Sequence, residues 1–358
     1  MSRIYNFGAG PAVLPLPVLE EAQRDLLDFQ GSGMSILESS HRAKEYDGVH
    51  QEAIANLREL LGVGEEYHIL FLQGGASLQF AMLPMNFLPA GAAADYIDSG
   101  HWADQAVKEA RRLGSVNVVA DTSKEIPARV PALSELAFTA GAAYVHMTSN
   151  ETIAGSQWKE FPEVDAPLVA DMSSDFLSRP FDTRRFAMIY AGAQKNLGPA
   201  GVTIVAIRRD FAEKAAQGLP TMLSYGTHIA KDSLFNTPPC FSIYIVMLVT
   251  RWIKRMGLAA LYRQNAEKAA RLYAAIDASG FFRGTAVKEC RSDMNVTFRL
   301  PTEDLEARFC SEASAIGLKG LKGHRSVGGI RASIYNAFPV EGVDKLIGFM
   351  KDFERKNG

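Results

Sequence analysis

Cysteine is scarce in this chain. Cys240, Cys290 and Cys310 stand far apart among 358 residues, and no Cys-x-x-Cys occurs. An odd count at wide spacing argues against a disulfide framework and offers no zinc-ligand set, so no metal is expected. A surplus of charge is missing too: 38 basic residues face 40 acidic ones, for a net charge of −2. Without a basic excess, neither nucleic acid nor an acidic membrane surface is an expected partner. Membrane-length apolar runs are absent. Residues 241–250 (FSIYIVMLVT) are strongly apolar but too few to span a bilayer, and Arg251, Lys254 and Arg255 follow closely. They read as a buried core helix. The beginning, MSRIYNFGAGPAVLP, has no apolar core of signal-peptide length, which leaves the cytoplasm as the expected compartment. Finally, no complete G-x-G-x-x-G follows a strand and no Walker pattern occurs, which disfavours a dinucleotide or P-loop site.

What is present is apolar substance and a regular alternation. Hydrophobic residues make up 47% of the chain, enough for one large domain and a smaller one. Short apolar runs lie at 68–72, 94–98, 116–120, 142–147, 167–170, 187–191 and 201–207. Several lead through polar or Gly-rich turns into helical patterns, as at 79–88 and 103–114. This alternation predicts an α/β fold with a mostly parallel sheet. Beyond about residue 258 the pattern changes to long helices around MNVTFRL and GGIRASIYNA. The expected division is a large domain over 16–258 and a smaller α+β domain from 1–15 and 259–358.

Ligands of open α/β sheets bind beyond the carboxyl ends of the strands. Gly74-Gly75-Ala76-Ser77 follows one strand and opens a helix, Trp102 lies just past the next, and Thr152, Asp171 and Gln194-Lys195 follow three more. Each has an ordinary reading. The glycines suit a tight turn, Asp171 a cap, Trp102 the core, Thr152 a turn, and Lys195 a solvated loop. Each also has a chemical one. Glycines before a helix let a phosphate approach free N–H groups. A carboxylate can keep a pyridinium protonated. An indole can stack on a planar ring, and a threonine hydroxyl can bond a ring oxygen. A lysine in a small-residue loop between two apolar strands is a Schiff-base candidate, because partial burial lowers its pKa. Together these are the groups that pyridoxal 5'-phosphate needs.

At these residues the chain resembles the phosphoserine aminotransferases, a family of fold-type-I pyridoxal-phosphate enzymes. The resemblance runs through NFGAGPAVLP (6–15), SSHRAKEY (39–46), GGASLQFAMLPMN (74–86), ADYIDSGHWA (94–103), SNETIAG (149–155), YAGAQKNLGPAGVTIV (190–205), FNTPP (235–239) and KGHRSVGGIRASIYNA (322–337). It implies that Lys195 carries the cofactor, Asp171 meets its ring nitrogen, Trp102 stacks on the ring and Thr152 bonds the ring oxygen. Gly75, Ala76, Ser77 and Gln194 would hold the phosphate, with Asn236 and Thr237 from the other subunit of a homodimer. Arg331 would bind the substrate α-carboxylate. His41, Arg42, His324 and Arg325 would bind the distal anion, the first two arriving across the interface. Many relatives carry Arg at position 77 or Ser at position 9, where this chain has Ser77 and Ala9. Backbone N–H groups can serve the phosphate at 76–77.

The resemblance implies amino transfer between glutamate and 3-phosphohydroxypyruvate in two half-reactions, giving phosphoserine and 2-oxoglutarate in serine biosynthesis. A phosphorylated hydroxythreonine of vitamin B6 synthesis is a further candidate substrate. One pocket must take a phosphate and then a carboxylate, and arginine forks suit both. Three other readings compete. A cysteine desulfurase needs a catalytic Cys near the cofactor, and none of the three cysteines stands in such a motif. A serine–glyoxylate aminotransferase has no need of the GHR cluster. A binding module without activity has no need of Lys195 and Asp171.

Overall fold

Apolar runs rich in β-branched residues build the centre of the molecule, which the computed structural model describes over residues 3–358. Met1 and Ser2, part of the expected small domain, lie outside the described residues. Seven strands form one sheet: β1 (Tyr67–Leu72), β2 (Ala93–Asp98), β3 (Ser115–Asp121), β4 (Val145–Thr148), β5 (Leu168–Asp171), β6 (Met188–Gly192) and β7 (Thr203–Arg208). Their order is β1-β7-β6-β5-β4-β2-β3. Pairs from β6 across to β3 are parallel, whereas β7 runs antiparallel to both of its neighbours. Strands β4, β5 and β6 are buried at every position, as a sheet covered on both faces requires.

Helices cover the two faces. On one side lie α1 (Lys44–Leu61) and, later in the chain, the run anticipated at 241–250. On the other lie α2 (Gly75–Phe87) and α3 (His101–Arg111). The apolar run belongs to α4 (Cys240–Met256), in which residues 243–250 are all buried. A helix apolar all round is a core helix, and no helix of the described residues is long and apolar enough to cross a membrane. Two of the basic residues after the run have partners: Arg251 pairs with Glu21 and Glu52, and Lys254 with Glu59.

A second core forms around α5 (Leu258–Asp277), the strands β8 (Arg283–Gly284), β9 (Asn295–Arg299) and β10 (Ile330–Ser333), and α6 (Val340–Asn357). Phe7 is buried in this core. The chain start reaches it because Tyr5–Asn6 pairs in parallel with Leu318–Lys319. Lys268 on α5 is buried, and its Nζ donates to the carbonyls of Ile334, Tyr335 and Phe338 at 2.9, 2.7 and 3.1 Å. Burial pushes its pKa down to about 7, yet three acceptors at these distances suit an ammonium with three donors. This contact fixes the turn that leaves β10. Lys268→Met is therefore expected to cost on the order of 3 kcal/mol, because three buried carbonyls lose their donor. Urea denaturation should read this as a lower midpoint at constant slope. A wild-type midpoint would mean that the turn satisfies those carbonyls another way.

Candidate active site

The carboxyl ends of β1, β2, β4, β5 and β6 share one edge of the sheet, and the candidate cofactor residues 75–77, 102, 152, 171, 194 and 195 gather there because each lies at or beyond a strand end. After β6 the chain turns through Ala193 and Gln194 to Lys195 and returns along β7, the turn being closed by Ala193 N–H to the Val202 carbonyl at 3.0 Å. The Lys195 amine donates to Thr152 Oγ1 at 2.6 Å and lies 5.6 Å from the centre of the Trp102 ring. Burial lowers its pKa, against the neighbouring Asp171 and Glu151 carboxyls, which raise it. Beneath it runs the N-terminal segment. Ala12 N–H donates to the Gln194 carbonyl at 2.8 Å, and a Cβ at Gly10 would meet Gln194 Cγ at 3.5 Å and Lys195 Cγ at 3.7 Å. Tyr335 Oη donates to the Ala9 carbonyl at 2.8 Å, so the second core also supports this floor.

Asp171 ends β5 and is buried. Its Oδ1 accepts from Ser173 N–H at 2.9 Å, so the capping role weighed from sequence is real for one oxygen. Burial raises its pKa, and Lys195 partly offsets this. A cation placed against this carboxyl would relieve the cost of burying it. The glycine turn has the geometry an anion needs. Gly74 and Gly75 have φ of +87° and +65°, which favours glycine, and nothing lies within 4 Å of a Cβ built on Gly75. No side chain caps the α2 N-terminus, and no acidic residue stands in its first turn. Its N–H groups are therefore open to an anion beside Ala76 and Ser77. An open cradle, a buried carboxyl without a cation and a desolvated amine facing an indole fit pyridoxal phosphate.

Arg331 extends from β10 toward the same place. Its Nη1 donates to the Thr152 carbonyl at 3.4 Å, its Nε is buried without a partner, and burial lowers its pKa. A half-buried guanidinium whose Nε is buried and that has no carboxylate calls for an anion. His324 and Arg331 line a cleft of about 740 Å³ together with Ile153. The His324 ring lies 5.6 Å from that of His101, and its pKa is lowered by burial and by the positive charge of Arg331. Arg325 is exposed on the same loop. Another cavity, of about 570 Å³ around Phe161, Arg179 and Phe181, contains none of the candidate residues.

His41 and Arg42 do not join this group within a single chain, and Asn236 reaches only its edge. His41 is half-buried and Arg42 exposed on the turn before α1, and neither lines the cleft. Asn236 sits by the glycine turn of its own chain, its Nδ2 donating to Gln73 Oε1 at 3.1 Å, while its Oδ1 is buried without a partner. Thr237 beside it is exposed. Sequence reasoning missed two residues that the structure brings in. His101 meets His324, and its only signal was its place before Trp102. Glu151 is buried, and its carboxyl accepts from Trp102 N–H at 3.1 Å and Ala103 N–H at 3.0 Å. Desolvation, with Asp171 and Asp98 nearby, pushes it up to about 7 against those two bonds. Nothing in SNETIAG distinguished it from a surface acid.

Comparison with known proteins places this geometry. The chain matches the aminotransferase class-V family over residues 4–346. It is 55% identical over 360 residues to the phosphoserine aminotransferase of Desulfosudis oleivorans, covering 99% of each. It superposes on a phosphoserine aminotransferase from Bacillus circulans subsp. alkalophilus with a TM-score of 0.96 at 51% identity, covering 99% of each chain. A PLP-bound phosphoserine aminotransferase from Trichomonas vaginalis gives a TM-score of 0.94 at 42% identity, covering 98% of this chain and 100% of the other.

Proposed function

The chain belongs to the class-V aminotransferases, and from that premise we propose that it acts as a phosphoserine aminotransferase through the residues described above. It is a pyridoxal-phosphate-dependent enzyme that moves an amino group reversibly between glutamate and 3-phosphohydroxypyruvate, a step of serine biosynthesis. The observation that carries our reading of the site is the meeting of two cations on Thr152. Lys195 bonds its hydroxyl and Arg331 its carbonyl, and neither cation has a carboxylate within ion-pair distance among the described residues. Such a place accepts an anionic substrate beside a reactive amine.

Bound here, pyridoxal phosphate supplies an electron sink for the pair left when the substrate Cα–H bond breaks. The rest falls to this chain. The glycine turn, with Ser77 and Gln194, would hold the phosphate, Asp171 would serve the ring nitrogen, Trp102 the ring face and Thr152 the ring oxygen. Lys195 would hold the cofactor through its Nζ and move the α-proton at that atom. Its lowered pKa gives a larger neutral fraction to accept that proton near neutral pH. Arg331 holds the α-carboxylate, while His324 and Arg325 hold the distal phosphate or carboxylate. Asn236, Thr237, His41 and Arg42 complete the site of a partner subunit in a homodimer. The exposure of Arg42 and Thr237 in the single chain favours this reading, and so does the apolar surface of Leu27, Leu37 and Phe235, 86%, 59% and 44% exposed. We also read the two cores as separate domains, with residues 1–15 belonging to the smaller one.

The test separates the two anion sites. Arg325→Ala is expected to lower kcat/KM for phosphohydroxypyruvate more than for glutamate, because a dianion gains more from each charge-assisted bond. Arg331→Ala is expected to injure both half-reactions alike, each by on the order of 2–5 kcal/mol in transition-state stabilisation. Equal losses in both half-reactions for Arg325→Ala would remove it from the distal site. Efficient use of unphosphorylated serine by the wild type would defeat the substrate reading.

A further inference from the structure

Glu151 lies at the centre of the site yet takes no part in the chemistry assigned so far. It precedes Thr152, which accepts from the Lys195 amine. Its two oxygens accept from Trp102 N–H and Ala103 N–H, the second and third residues of α3. The N–H groups of a first helical turn have no partner inside the helix, and an N-cap side chain commonly takes them. Here the N-cap is Gly100 and supplies no side chain. A Cβ added at Gly100 would stand 2.7 Å from Glu151 Cδ. The Glu151 carboxyl thus occupies the space of a capping side chain, and glycine at 100 leaves room for it.

We propose that Glu151 is a positioning residue: it clamps the Trp102 end of α3 to the Thr152 segment and so sets the indole face against the Lys195 amine before the cofactor arrives. The proposal rests on the cofactor reading above. A cap serving stability alone would tie the same atoms but would leave cofactor affinity untouched. The two differ because Trp102 and Thr152 stand on separate strand ends, β2 and β4, and Glu151 is the side chain that bonds across them to the first turn of α3. If it lets go, α3 can shift its first turn while the Thr152 segment stays in place.

The experiment titrates pyridoxal phosphate into apoenzyme and follows the visible absorbance of the bound cofactor. Glu151→Gln keeps the shape but offers one oxygen to two N–H groups. It is expected to weaken cofactor affinity about tenfold, within the range set by loss of a helix cap. In a Trp102→Ala background the same change should weaken it less than about twofold, because coupled residues are non-additive. Gly100→Ala, which pushes the carboxyl aside without removing it, should reproduce the tenfold loss, and it decides the matter if Glu151→Gln does not fold. Wild-type affinity in both single variants, or an equal loss with and without Trp102, overturns the proposal. Wild-type protein that develops no visible band would instead overturn the cofactor reading, whatever the variants do.

Discussion

Lys195→Ala is expected to abolish turnover and to remove the cofactor linkage that borohydride reduces. The lysine stands on the return between β6 and β7, and its amine bonds Thr152 Oγ1. No other lysine is placed over the Trp102 ring among the described residues. Proton transfer by a positioned side chain contributes roughly 10²–10⁴-fold, and loss of the covalent attachment adds to this. The fold should survive, because the amine makes no ion pair among the described residues and Asp171, whose raised pKa it partly offsets, can take up a proton instead. Mass spectrometry after borohydride treatment checks the linkage, and single-turnover kinetics check the chemistry. A reducible adduct at wild-type level in the mutant would place the attachment elsewhere.

Asp171→Asn is expected to keep the fold and lower kcat by roughly 10²-fold or more, the scale seen when a buried electrostatic contact to the reacting group is lost. Asparagine still offers Oδ1 to Ser173 N–H, so the turn stays closed while the charge facing the cofactor ring disappears. Stability gives a second readout with a definite sign. Burial raises the Asp171 pKa in the folded apoprotein, so between the ordinary carboxylate range and that raised value the unfolded chain binds fewer protons than the folded one. The contribution of this group is complete at acid pH and is lost as pH rises. The Asp171→Asn apoprotein should therefore lose less stability than wild type between acid and neutral pH, as read by urea midpoints. Near-normal kcat would reduce Asp171 to a capping residue.

Much of the sheet was legible because its strands are short, apolar and punctuated by turns. Runs 68–72, 94–98 and 187–191 fall within or overlap β1, β2 and β6, and the charges that follow 241–250 mark the less buried end of a core helix. Lys195 and Asp171 could be placed because chemistry at a strand end is signalled by the strand before it. The direction of β7 could not be read, since an apolar run specifies burial and not polarity. Glu151 was hidden for a different reason. Its partners are backbone N–H groups 48 and 49 residues away, and backbone donors carry no residue identity. Gly100, which makes room for it, looks like any turn glycine. His41 and Arg42 show the limit of a single chain, because their proposed work lies on a neighbour.

The pairing of Tyr5–Asn6 with Leu318–Lys319 has a consequence for how the molecule is made. A chain leaves the ribosome amino end first, at about 5–20 residues per second. Tyr5–Asn6 emerges more than three hundred residues ahead of its partner and finds nothing to pair with until Leu318–Lys319 has followed it. The β1–β7 sheet can assemble in the meantime, because all of its strands lie between residues 67 and 208. The segment that runs beneath Lys195, held at one end by Leu318–Lys319 and at the other by Gln194, can close only after that sheet. The floor beneath the site is then held by a segment made long before the one that pins it.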